Sequence, residues 1–400
     1  MAQIEFSSIG EPAAAIKDTL RQFELETGHK VNVHVMQWEK AWPELLSYAL
    51  LGHGPDISHI GSTWVSSLVK MNVLRPFHPR EVEAVGGAKV FLPACWNSVI
   101  LPGSDTVWAL PWTAYVFTLC YRRDLLARAG VDETAAFKNT GSLLDTLERL
   151  SAARVLIPFV IPTGKPHVDT LHIVASWIWG AGGDFISEDG KTPLFTQRQA
   201  RAGLKAYYEL GKYIPPLARN LSPEQALALF RSGEAAITVC GYDEPYLIQN
   251  GDIAVPAVRQ NLGVTSIPGQ PWVGGDNLVV WQHAQDDPRR EKAAVDLALH
   301  LISHEVQTKY CQGDTFAIPT RLDSMCNFPL PGSEGTLQVE RSLREGRSYR
   351  PIALWGRVET QLSSALNHIW LDIFVGMPVD NAIQRQLEPV AQKLEMALNN

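Results

Sequence analysis

The sequence predicts an α/β protein built as two lobes, each a mixed, mainly parallel sheet flanked by helices. Three observations lead there. Its 400 residues exceed what one hydrophobic core usually supports. Strand-like and helix-like segments alternate from the start of the chain. Glycine, tryptophan and acidic residues recur where those strands should end.

Taken in order, "QIEFSS" reads as a strand. "EPAAAIKDTLRQFELETG" reads as an amphipathic helix, with Ile16, Leu20 and Phe23 at helical spacing and Gly28 as its stop. "KVNVHVMQ" alternates strictly, as a half-buried strand does, and "KAWPELLSYALLGHG" is a second helix closed by glycines. "DISHI" is a short strand and "STWVSSLVKMNVL" a third helix. This βαβαβ order predicts right-handed crossovers and parallel pairing. "VWALPWTAYVFTLCYRRDLLARAG" reads as two extended runs and then a helix stopped at Gly130. "TLHIVASWIWGAGGDF" is a helix with a glycine cap. "SPEQALALFRSGEAAITVCG" is a helix with Ser222 at its N-cap and Pro223 following, then a strand. "DDPRREKAAVDLALHLISHEVQTKY" repeats that cap with Asp287 and Pro288. "WGRVETQLSSALNHIWLDIFVG" is the last long element read as helical.

Composition narrows the function. A net charge of −7 argues against nucleic acid or an anionic membrane as the main partner. No apolar run reaches the roughly 18 residues a membrane span needs. "MAQIEFSSIG" has neither a basic n-region nor an apolar h-region, which fits a cytoplasmic protein or a trimmed mature form. The five cysteines never stand in C-x-x-C spacing, so no zinc framework is expected. Cys120 and Cys240 lie in apolar runs and read as small buried hydrophobes. Cys311 and Cys326 could pair in a secreted chain.

In "HGPDISHIGSTW", His53, Asp56 and His59 are spaced by three, which invites a metal reading. A strand sends Asp56 and His59 to opposite faces, and His53 lies before the Gly-Pro break, so no metal is expected. The end of such a strand opens instead onto the crevice where α/β proteins bind ligands. There Gly61 would let the backbone turn, Thr63 offers a hydroxyl, and Trp64 a flat apolar surface. Other strand and helix ends carry similar groups: Glu11, Trp38, Trp112, Tyr115, Trp179, Tyr242, Asp243, Trp272, Gly274, Gly275, Asp276, Asn277 and Trp355. Twelve tryptophans, many at element ends, suit a ligand with flat apolar faces and polar edges. A pyranose ring is one, its C–H face packing on indole while carboxylates and amides take its hydroxyls. Trp42, Trp96, Trp281 and Trp370 read as ordinary core residues.

Reaction motifs are missing. "WGAGGDF" is a helix cap rather than G-x-G-x-x-G, and there is no Walker A sequence, G-x-S-x-G elbow or H-E-x-x-H. The residues offer binding chemistry without recognisable catalytic chemistry, and no cofactor is expected.

"ELLSYALLGHGPDISHIGSTWVSSLVKMNVLRPF" resembles a block of the family 1 extracellular solute-binding proteins, the sugar-binding subunits of ABC importers, of which maltose-binding protein is a distant relative. "WALPWTAYVFTLCYRRDLLARAG", "ALALFRSGEAAITVCG", the run from "PWVGGDNLVVW" to "FAIPT", and "PIALWGRVETQLSSALNHIW" are similar to further blocks in the same order. The resemblance implies a type II periplasmic binding protein with sugar held in a cleft between lobes that closes on it. Lobe 1 would comprise residues 1–113 and 274–318, and lobe 2 residues 114–273 and 319–400. It places sugar contacts at Thr63, Trp64, Trp112 to Tyr115, Gly241, Tyr242, Gly274 to Asn277 and Trp355, with Trp38 at a further position the family uses. It also implies a monomer that delivers a mono- or oligosaccharide to membrane permease subunits. The setting would be periplasmic or membrane-anchored outside the cell, from a trimmed form. The sequence departs from the family in reading "TAY" after "PW", where many relatives carry an acidic residue. Rival readings are a binding protein for a polyol or glycerophosphodiester, a carbohydrate-active hydrolase, and a cytoplasmic sugar sensor.

Overall fold

The computed structural model describes residues 1–10, 12, 14–164, 167–311, 317–325 and 333–399. Its contacts divide the chain into two compact units. The first comprises Met1–Tyr115, Val273–Pro329 and Ser348–Gly356; the second comprises Val116–Trp272, Leu330–Arg347 and Arg357–Asn400.

In the first unit, β1 (Gln3–Ile9) pairs in parallel with both β2 (Lys30–Met36) and β3 (Ile57–Gly61). β4 (Leu74–Arg75) and β5 (Leu110–Arg122) follow, and β5 runs from the first unit into the second. In the second unit are β6 (Ile157–Val160), β7 (Ala235–Gly241) and β8 (Leu262–Ser266). The chain then returns to the first unit for β9 (Val273–Trp281) and β10 (Ile318–Pro319). The first sheet runs β2-β1-β3-β9, with β9 antiparallel to β3 and then neighbouring β5. In the second unit β5 pairs antiparallel with β7 and with β8, and β6 lies parallel to β7. Both sheets are therefore mixed.

Local chemistry explains most boundaries. The helix Ala14–Thr27 buries Leu20 and Phe23 and stops at Gly28, whose φ of +72° costs glycine little. Helix Trp38–Leu51 ends at Gly52 in the left-handed region, its N–H donating to the Tyr48 carbonyl. Ser222 caps Pro223–Arg231 by accepting from the Gln225 N–H, and Asp287 caps Pro288–Leu301 by accepting from the Arg289 N–H. The core of the first unit gathers Phe6, Ile57, Ile60, Leu278, Val280 and Trp281 with Leu297 and Ala298. In the second, ten consecutive buried residues, Thr170–Trp179, make helix Val168–Gly180 its central element. Helix Arg198–Tyr208 crosses it at Gly203, where a Cβ would stand 2.4 Å from the Trp177 carbonyl oxygen.

Several expectations are corrected. The two extended runs around Pro111 are one strand of 13 residues, β5. The third helix is only Val65–Lys70, because Asn72 turns the chain with φ +57° into β4. The long helix after Asp287 breaks at Ile302, and Ser303 caps a second one, His304–Cys311, by accepting from the Val306 N–H. A final helix, Val379–Leu398, follows Pro378 and was not read from sequence. The sequence-based division kept residues 319–400 together. In the structure Pro319 pairs with Thr113 and Ser348 Oγ donates to the Ala94 carbonyl, so those segments lie with the first unit. Among the described residues, no helix is long and apolar enough to cross a membrane.

Candidate functional site

In the first unit, four of the expected residues come together around one that was not expected, His59. Trp38 opens helix Trp38–Leu51 directly after β2, and Trp64 ends a short 3-10 turn after β3. Their rings lie 5.7 Å apart, and Trp42 backs Trp64 at 5.5 Å. The His59 ring stands edge-on to Trp38 at 6.1 Å and to Trp112 at 4.8 Å. Trp112 is 2% exposed, whereas Trp38 leaves 49% of its surface to solvent.

Asp276 closes this wall. It sits on β9 opposite Gly61 of β3, so His59, two residues back, shares its face of the sheet. The His59 Nδ1 accepts the Ile9 backbone N–H at 3.1 Å, which puts the ring proton on Nε2. Nε2 then faces Asp276 Oδ2 at 3.3 Å, and Thr113 Oγ1 donates to the same oxygen at 2.7 Å. Oδ2 is therefore held by the Thr113 hydroxyl with the His59 ring beside it, and Oδ1 accepts no hydrogen bond among the described residues. Gly275 makes the arrangement possible. Its φ is +134°, and a Cβ there would stand 2.0 Å from the Thr113 carbonyl oxygen, so only glycine lets β9 lie this close to β5. Gly274 to Asn277 line a small depression with Ser62, Cys95, Ser98, Thr113 and Ser348. Asn277 is buried and donates from Nδ2 to Ser98 Oγ at 3.0 Å, and burial followed by the Asp276 charge pushes the Cys95 thiol up to about 12.

Gly61 has a different role from the one expected. Its backbone is ordinary extended chain, φ −63° and ψ 143°, so no special turn requires glycine. A Cβ there would meet the Trp38 and Trp64 rings at 3.6 Å, ordinary contact. Thr63 and Tyr115 are half-buried in the same unit, while Trp355 is buried and stacks on Tyr349 with centroids 4.3 Å apart. Glu11 lies outside the described residues, as does Cys326.

The second unit holds another flat surface. Trp272 lies face to face with His172, centroids 3.9 Å apart and planes 5° from parallel, with Phe117 at 5.9 Å. Burial holds the His172 imidazole down to about 4, so it is neutral near pH 7 and stacks as an aromatic ring rather than a cation. The Trp272 backbone N–H donates to Ser176 Oγ at 3.3 Å. Tyr242 follows β7 and is buried, its N–H donating to the Val116 carbonyl. Burial raises the Asp243 carboxyl above the usual range, and neighbouring Glu244 is gripped by Arg231 through two bonds of 2.7 and 2.6 Å. Trp179 belongs to a packing group: its Nε1 donates to Asp184, and Arg347 lies 4.6 Å over its ring while bonding Asp184 at 2.7 Å.

The metal reading of "HGPDISHIGSTW" has no support among the described residues, where no cluster of three possible ligands occurs. Asp56 is fully buried, accepts the Glu5 N–H and pairs with Arg290 at 2.7 Å; it is structural. Of the expected core tryptophans, Trp281 and Trp370 are fully buried and Trp96 stacks on Phe91. Trp42 is half-buried in the tryptophan wall. Sequence reading did not bring His59, His172 or Phe117 to a ligand site, and it reached Thr113 only through the resemblance, within Trp112 to Tyr115. For His59 and Thr113 the available signal was strand alternation, which places each on the face of a neighbouring strand's predicted ligand.

Comparison with known proteins adds the lineage. The family described as bacterial extracellular solute-binding proteins matches residues 18–325. A Brucella abortus protein, named only as a binding protein, is 20% identical over 371 residues, 89% of this chain and 84% of that one. Among solved structures, the sugar-binding protein MalE from Xanthomonas citri superposes with a TM-score of 0.82 at 18% identity, covering 99% of this chain and 97% of that one. An ABC transporter solute-binding protein from Thermotoga lettingae, bound with α-D-tagatose, superposes at 0.80 with 19% identity over the whole of both chains. At such identities the structural likeness establishes the fold.

Proposed function

The chain belongs to the bacterial extracellular solute-binding proteins, and from that premise we propose that it captures a neutral mono- or oligosaccharide and delivers it to the membrane permease of an ABC importer. The observation that carries this reading is the carboxylate of Asp276, held by the Thr113 hydroxyl beside the His59 ring and walled by Trp38, Trp64 and Trp112. A hexose ring stacks its apolar C–H face on an exposed indole, and a fixed carboxylate takes its hydroxyls through charge-assisted bonds. An anionic ligand would meet the Asp276 charge instead, which disfavours phosphodiesters. Thr63 and Tyr115 extend the same set of contacts, and within the second unit Trp272, Tyr242 and Asp243 are the candidate contacts. Gly274, Gly275 and Asn277 shape the backbone and buried bonds behind Asp276. Trp179 and Trp355 act from within packed groups.

The protein binds without transforming its ligand. It works outside the cytoplasm, as the extracellular family it belongs to does. A thermal-shift screen against neutral mono- and oligosaccharides, ribitol and glycerophosphocholine tests the reading. A ligand that binds only the folded form raises the melting temperature, by RT ln(1 + [L]/Kd) in free energy. At least one neutral saccharide should do so, and glycerophosphocholine should not. A shift from none of the saccharides would overturn the assignment. Release of reducing ends from oligosaccharides would replace it with a hydrolase.

A further inference from the structure

Two cysteines face each other inside the second unit. Cys120 on β5 and Cys240 on β7 lie on adjacent antiparallel strands, with Cys120 opposite Thr238 and Cys240 opposite Thr118. Period-two alternation puts both side chains on one face of the sheet. Their sulfurs are 3.3 Å apart, and both residues are buried. A disulfide needs those atoms at about 2.05 Å, and because the two cysteines are diagonal rather than directly opposite, closing the gap of roughly 1.2 Å takes side-chain rotation together with a shift of the two strands. Cys95, also buried, belongs to the other unit.

We propose that Cys120 and Cys240 are the halves of a structural disulfide, formed as the second unit folds and then buried beside its central strand pair. The chemistry is two thiol–disulfide exchanges with a small disulfide oxidant such as glutathione disulfide. One cysteine thiolate attacks an oxidant sulfur, breaks its S–S bond and expels one glutathione thiol. The second cysteine thiolate then attacks the protein sulfur of that mixed disulfide and expels the other. Two protein thiols lose two protons and two electrons, and one glutathione disulfide becomes two glutathiones.

Burial sets the order of events. In the folded dithiol, burial and then the neighbouring Cys120 hold the Cys240 thiol well above its ordinary value, and little surface admits an oxidant. Oxidation therefore belongs to the unfolded or partly folded chain, where both thiols are exposed. An extracellular protein folds in an oxidising setting, where such bonds persist. The bridge would span 120 residues of sequence, a long loop whose closure restricts the unfolded chain strongly.

The full chain, unfolded in guanidinium with reductant, is refolded with a glutathione/glutathione disulfide mixture. It is then unfolded again, alkylated, and examined by intact mass and peptide mapping. The expected product has two fewer alkylated cysteines, a Cys120–Cys240 linked peptide and a melting temperature raised by roughly 5–10 °C over the reduced chain. The same oxidant given to the already folded, reduced protein should bridge the pair at least tenfold more slowly. Alkylation of both cysteines after oxidative refolding, or linkage of either to a different cysteine, overturns the proposal. In a Cys120→Ala/Cys240→Ala variant the melting temperature should no longer respond to reductant; a persisting response also overturns it.

Discussion

Replacing Asp276 with asparagine separates a recognition carboxylate from a structural one. In the folded protein Oδ2 accepts from Thr113 Oγ1 at 2.7 Å and faces His59 Nε2 at 3.3 Å. Asparagine has the same shape and one carbonyl oxygen, which the Thr113 hydroxyl holds at the Oδ2 position. Its amide then occupies the place of Oδ1, so a ligand hydroxyl that met an ionised acceptor now meets a neutral donor. Losing charge assistance from bonds that are otherwise kept should cost about 1 kcal/mol of stability. That lowers the melting temperature of the ligand-free protein by about 2–4 °C. Losing a hydrogen bond to a charged group at the ligand costs about 1.5–3 kcal/mol, a weakening of Kd of roughly 10- to 150-fold. Calorimetric titration with a saccharide that stabilises the unmodified protein reads the second effect, and ligand-free melting reads the first. Affinity within threefold of the unmodified protein would refute the role given to Asp276. A ligand-free variant that no longer folds would show the carboxylate to be structural.

Three further outcomes follow from the same geometry. Trp38→Ala removes a half-exposed ring that packs on Trp64 and His59, so it should cost about 1–3 kcal/mol of ligand-free stability, yet weaken saccharide binding roughly tenfold or more by calorimetry. Gly275→Ala should destabilise the fold by more than about 2 kcal/mol in urea unfolding, from its close approach to Thr113 and its φ of +134°; Gly61→Ala, with only ordinary contacts, should be near neutral. His172 carries the pH dependence. Its folded value of about 4 lies below the ordinary 6.5, so the unfolded chain binds more protons between those values. The stability it contributes is complete above pH 6.5 and is lost as pH falls towards 4, by about 3 kcal/mol in all. A His172→Phe variant, stacked on Trp272 without a titrating group, should lose visibly less stability over that window. Parallel urea profiles for the two proteins would remove His172 from the account.

The architecture was legible because its signals are local. Helix caps at Ser222 and Asp287 and stops at Gly28 and Gly52 depend on a few neighbouring residues, and each stands where the sequence puts it. The errors came where distant chain decides. Pro111 does not divide β5, because its carbonyl accepts from Thr320 and the strand is paired well beyond it. The Ser348–Gly356 segment joins the first unit through contacts with Ala94, Ser66 and Ser67 that no local pattern foretells. Site residues divide the same way. Trp38 and Trp64 follow strand ends and Asp276 lies within β9, and all three were read as ligand contacts. Trp179 carries the same local signature, but an ion pair between Asp184 and Arg347 packs it into the second unit. His59 was weighed only as a metal ligand. Its partners, Ile9 and Asp276, lie 50 and 217 residues away and meet it only because β3 lies between β1 and β9.

Isothermal titration of the unmodified protein with a panel of neutral saccharides tests the central claim most directly. If the tryptophan wall around Asp276 grips a carbohydrate, at least one member should bind with one-to-one stoichiometry, and Trp38→Ala and Asp276→Asn should each weaken that same binding. Heat from no saccharide, or binding that both variants leave unchanged, would contradict it.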